Sequence, residues 1–144
     1  MHKKTFPKDP KEAFNQAKRY FANAKETLTK SPIEYGIYKD EKYVKEASAM
    51  GYLSALSTID GYLLSINTPR DKLPTSIEEY TKALYKIPHN GKLMAAIKVV
   101  YENLHIFGYY RGGIDVNMIK SGFKSAKFII DVLSQRTKNT EGVE

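Results

Sequence analysis

An all-α fold, an antiparallel up-down bundle of four long helices and one short helix, is what the sequence predicts. Three observations carry that expectation. Apolar residues recur at spacings of three and four, capping patterns stand at the heads of these stretches, and the connections between them are brief. No stretch shows convincing strand alternation, and neither an internal repeat nor a low-complexity tract interrupts the 144 residues, which suit one domain over 1–144 with an ordered core at about 10–135.

The first helix is expected to start at Asp9, with Pro10 in the first turn and Glu12 completing an Asp-x-x-Glu capping box. Ala13, Phe14, Ala17, Tyr20, Phe21, Ala24 and Leu28 make its apolar stripe, and Ser31-Pro32 ends it. The second helix, from Asp40 to Ile66, sets the long axis at roughly 40 Å. A short third helix follows Pro74, with Thr75 and Glu78 as its capping box, Ile77, Tyr80, Leu84 and Ile87 inward, and Pro88 at its close. Helix four runs from about Gly91 to Arg111 with Leu93, Ile97, Val100, Leu104 and Phe107 buried, and Gly112-Gly113 lets it stop. Helix five begins at Asp115, buries Val116, Ile119, Phe123, Ala126, Ile130 and Leu133, and gives way to a polar tail from about Arg136.

The hydrophobic fraction of 42% and charged fraction of 27% are those of an ordinary globular protein. Absence of cysteine excludes disulfides, thiolate catalysis and Cys-built zinc sites. The net charge of +7 is compatible with a polyanionic partner, but it equally keeps any protein dispersed. It is also unevenly placed: residues 1–30 carry +5, residues 31–74 carry −1 and residues 75–144 carry +3. The N-terminus is basic without the apolar run of a signal peptide, so the expected location is the cytoplasm.

Helix two carries a single charge, Asp60, between Ala47 and Pro69, and must be buried almost all round. Ala47, Gly51 and Ala55 form a smooth ridge that either packs inside one subunit or makes a homodimer seam. Ser48, Ser54, Ser57, Thr58, Asp60 and Ser65 interrupt it too often for a membrane span. A buried carboxylate needs a partner, and Asp60 could find a Tyr hydroxyl, His105 or Arg111, either as a structural group or as part of a pocket.

On a helical wheel His105 falls at the edge of helix four's apolar stripe, beside Met94 and Tyr101, with Tyr109 one turn onward. It is either a hydrogen-bonded structural histidine or the lining of a cleft where it could transfer protons. Glu102 and His105 have the Glu-x-x-His spacing of di-iron bundles, but that pattern should occur twice, and His2 and His89 lack it; no metal or cofactor is expected. Tyr109, Tyr110, Arg111, Gly112 and Gly113 place two aromatics and a guanidinium at one helix end, where they serve packing and capping, or stack on bases and hold phosphate. Lys120, Lys124 and Lys127 form a basic stripe that reads as solvated surface.

The run from Gln16 to Ala24, the buried stretch Glu46–Tyr52 and the helix-four ending Tyr101–Tyr110 together resemble the HEPN superfamily over roughly residues 10–135, most of all its uncharacterised bacterial members. The resemblance implies a helical bundle that often dimerises, whose members act as ribonucleases of toxin-antitoxin and defence systems or as non-catalytic partners of nucleotidyltransferases. Catalytic members have an Arg separated by four to six residues from a following His. Counting back from His105, positions 98–100 are Lys98, Val99 and Val100, and Arg111 lies on the other side. Lysine is not equivalent to a planar guanidinium.

The expectation is thus a non-catalytic, homodimeric HEPN-like binding or regulatory module with RNA, a nucleotide or a protein such as a nucleotidyltransferase-like partner as its ligand. Its candidate ligand-binding residues are Asp60, Tyr101, Glu102, His105, Tyr109, Tyr110 and Arg111. The alternatives are a metal-independent ribonuclease, with His105 as acid or base and Lys98 or Arg111 stabilising phosphate charge, and a purely structural oligomer.

Overall fold

A computed structural model describes residues 6–141. Helix α1 (Pro10–Leu28) is capped by Asp9, whose carboxylate accepts from the Glu12 N–H at 2.8 Å. Its apolar stripe turns toward α2 (Glu41–Ser65), with Ala13, Ala17 and Ala24 fully buried. Asp40 caps α2 by accepting from the Lys42 N–H at 3.2 Å.

The link between α1 and α2 departs from the strand-free expectation. Strands β1 (Ile33–Glu34) and β2 (Ile37–Tyr38) form a small antiparallel hairpin, Ile33 opposite Tyr38 and Glu34 opposite Ile37. Tyr35 and Gly36 sit at its tip with φ of 52° and 76°, the pair of positive values that a tight primed turn requires. The hairpin is tied to the far end of the chain: the Tyr38 N–H donates to the Ile114 carbonyl at 2.9 Å and the Val116 N–H to the Gly36 carbonyl at 3.1 Å.

After a single 3₁₀ turn (Arg70–Lys72), helix α3 spans Ile77–Tyr85. Its cap lies one residue later than the Thr75/Glu78 expectation. Ser76 accepts from the Glu79 N–H at 3.2 Å, and the Glu79 carboxylate returns to the Thr75 N–H at 2.9 Å and hydroxyl at 2.6 Å. Helix α4 (Gly91–Val99) does not continue as an α-helix to Arg111. From Val100 to Tyr110 it widens into a π-helical segment, in which each N–H reaches the fifth residue back, as in the 2.9 Å bond from the Arg111 N–H to the Ile106 carbonyl. Gly112, at φ 68°, then stops it.

Helix α5 runs from Val116 to Glu141, with Asp115 accepting from the Met118 N–H at 2.9 Å. The helix continues through Arg136, where the sequence turns polar. That guanidinium donates to the carbonyls of Pro88 at 2.7 Å and His89 at 2.9 Å, while Thr137 is buried. His2 lies outside the described residues.

Close approaches fix the directions. A Cβ on Gly61 would touch Ala13 and Phe14, so α2 runs antiparallel to α1. Gly108 meets Ser48 while Gly51 meets Leu104, which sets the π segment antiparallel to α2. Gly108 also meets Ile119 and Gly122 meets Leu104, which sets α5 antiparallel to the π segment. The bundle is therefore up-down, with α2 packed against α1, α3, α5 and the π segment. The Ala47–Gly51–Ala55 ridge is taken up inside the chain, because Gly51 lies against Phe123 and Leu104 and both alanines are fully buried.

Candidate functional site

The π segment lays Tyr101, His105 and Tyr109 in one column, four residues apart. The His105 ring lies 5.4 Å from that of Tyr101 and 5.9 Å from that of Tyr109, the latter nearly parallel at 19°. A fourth ring comes from α2: Tyr52 stacks on His105 with centroids 4.6 Å apart and planes at 26°, and lies 6.3 Å from Tyr101. The four rings form a ladder along the seam between α2 and the π segment. Tyr52 was missed by reasoning along single helices, since its relation to His105 depends on the register of two distant segments.

Burial sets the electrostatics of the ladder. It lowers the His105 pKa, so the imidazole is held neutral at physiological pH. Burial, helped by the neighbouring Tyr101 and Glu78, pushes Tyr52 up to about 12. The ladder is thus an uncharged aromatic surface. At its open end Tyr109 is 47% exposed, Tyr110 is 74% exposed, and the Arg111 guanidinium makes no hydrogen bond or ion pair among the described residues.

Other candidates lie elsewhere. Asp60 is buried, and the Tyr80 hydroxyl donates to its Oδ1 at 2.9 Å. Of the proposed partners it is a tyrosine, not Arg111, that meets Asp60. Gly112 sits against Glu41, which places Arg111 near the start of α2, about 28 Å from Asp60 at 1.5 Å per residue. His105 stacks on Tyr52, two helical turns before Asp60 along α2, and the two features are linked through Tyr80, which feels the charge of both Asp60 and Tyr52. Burial and the adjacent Asp60 push the Tyr80 pKa far up, so its hydroxyl keeps the proton that it donates. Glu102 is exposed on the π segment and Lys98 on the last turn of α4. Among the described residues no three His, Asp or Glu side chains gather as a metal site, and no helix is long and apolar enough to cross a membrane.

The family model described as Domain of unknown function (DUF5618) matches residues 12–135. A solved structure of a protein of unknown function from Dyadobacter fermentans is similar, with a TM-score of 0.74 and 33% identity, covering 89% of this chain and 98% of that one. No curated protein matches.

Proposed function

The chain belongs to this family of unknown function, and we propose that it is a non-catalytic, HEPN-like binding module whose ligand is single-stranded RNA or a nucleotide. One observation carries the reading. The ladder Tyr52–Tyr101–His105–Tyr109 ends in exposed Tyr109 and Tyr110 beside Arg111, whose guanidinium has no partner among the described residues, an arrangement that offers aromatic faces to bases and a planar cation to phosphate. Binding of this kind needs no proton transfer, which suits an imidazole sandwiched between rings. In its homodimeric form the module uses the face of α2 beside the occupied ridge, where Leu53 is 43% exposed. A protein partner such as a nucleotidyltransferase would use the same open end.

The test is fluorescence anisotropy with a labelled single-stranded RNA, together with gel analysis of the RNA and light scattering of the protein. Tyr109→Ala and Tyr110→Ala should each weaken binding by about 5- to 150-fold, equivalent to ~1–3 kcal/mol per stacked base. Arg111→Ala should lower the salt slope by about 1. Failure to bind RNA or mononucleotides at low salt would remove the ligand class. Cleavage that disappears in His105→Ala would establish the ribonuclease in place of the binding module, and a mass of one chain would exclude the homodimer.

A further inference from the structure

A cleft of about 410 Å³ opens where α2 ends, lined by none of the ladder's rings. Its floor is apolar and packed: Tyr62, Leu63 and Ile87 are nearly inaccessible, while Ile66 at its lip is 47% exposed. The walls are the last turns of α2 and α3, held together at the root by the Tyr80–Asp60 hydrogen bond one turn deeper. Lys72, Lys82 and Lys86 stand around the opening with Glu79, a local balance of +2, and the Glu79 carboxylate is occupied by Thr75.

Two of these cations have another use, since Lys82 in the last turn of α3 and Lys86 at its C-cap complement the helix dipole. Lys72 does not: it comes from the separate 3₁₀ turn and lines the same cleft. Convergence of cations from two elements over an apolar floor is the chemistry of a site for an amphipathic anion. The volume decides its size. At the ~30 Å³ that a water occupies, the cleft suits a ligand of roughly a dozen non-hydrogen atoms.

We propose that this cleft binds a small amphipathic carboxylate, an aliphatic acid of about ten carbons whose chain lies on Leu63 and Ile87 and whose head group meets Lys72, Lys82 and Lys86. The experiment is an amide-resolved NMR titration of the full chain with sodium decanoate. Saturating shifts are expected at Leu63, Ile66, Ala83 and Ile87, with acetate producing none. The double charge reversal Lys82→Glu/Lys86→Glu should weaken decanoate about tenfold or more, and both lysines are exposed enough for the variant to fold. Ala83→Phe, which fills the cleft from its wall, should abolish the shifts while leaving the melting curve near that of the parent. Three results would overturn the assignment: no saturation at these amides, equal saturation by decyltrimethylammonium, or saturation by an acidic helical peptide where decanoate has no effect.

Discussion

At Gly108 the segment carrying the ladder comes close to both α2 and α5. A Cβ placed there would collide with the Ser48 hydroxyl and lie 2.8 Å from Ser48 Cβ and 2.9 Å from Ile119 Cδ1. Ser48 belongs to the central helix and cannot swing away, because it is fully buried between its neighbours. Gly108→Ala would ordinarily gain about 0.5–1 kcal/mol from helix propensity. Overpacking of a filled interior costs about 1–3 kcal/mol, and three approaches below 3 Å to buried atoms put this site in the upper half of that range, so the net effect is destabilisation by about 1–2.5 kcal/mol. For 144 residues the unfolding entropy near the melting point is about 0.3 kcal/mol/K. The expected fall in Tm is therefore about 3–8 °C by scanning calorimetry. Ser48 supplies an internal control, since its Oγ is buried without a hydrogen-bond partner among the described residues. Ser48→Ala alone should stabilise by about 1 kcal/mol, and in the double variant it should recover more than that amount by removing the nearest obstacle. A Gly108→Ala variant that melts at or above the parent temperature would refute the close approach. Strict additivity in the double variant would refute the Ser48 contact.

Tyr80→Phe removes the donor to Asp60 and should cost about 1–3 kcal/mol in urea unfolding, with an unchanged midpoint as the contrary result. Arg136→Ala leaves the Pro88 and His89 carbonyls without these donors and should cost about 1 kcal/mol by the same measurement. The lowered pKa of His105 means that the folded state binds its proton less readily than the unfolded chain. Stability should be insensitive to this group above about pH 7 and should decline as pH falls through 6.5 toward the folded value, a slope that His105→Phe would remove. Tyr52 has the opposite sense: with its pKa pushed up to about 12, stability is present below pH 10 and lost as pH rises beyond it, and ultraviolet titration should show one late tyrosine missing from Tyr52→Phe.

The bundle was legible in the sequence because each long helix repeats its apolar residues over many turns, as α1 does from Ala13 to Leu28. Asp9, Asp40 and Asp115 announced three starts, since a carboxylate before an apolar stripe has few other local uses. Features that depend on one or two residues were harder to see. Strands of two residues each are too short to show alternation, and their turn rests on two residues, Tyr35 and Gly36. Thr75-Ser76 offers two possible caps in adjacent positions, followed by two adjacent glutamates, so the pattern alone could not choose between them. Widening of helix four leaves no local mark in the apolar spacing, which continues through Val100, Leu104 and Phe107. The column of Tyr101, His105 and Tyr109 was visible from spacing, whereas Tyr52 across from it and Tyr80 opposite Asp60 are matters of tertiary register.

The central placement of α2 constrains how this family can drift. Every residue inserted into or deleted from that helix would rotate all that follows by 100° about its axis. One such change between Gly51 and Asp60 would leave the first half facing Leu104 and Phe123 while turning Asp60 away from Tyr80 and Gly61 away from α1. Added or lost residues should therefore be tolerated in the hairpin tip, the 3₁₀ turn and the link after Tyr85, and α2 acts as the ruler against which those loops can lengthen or shrink.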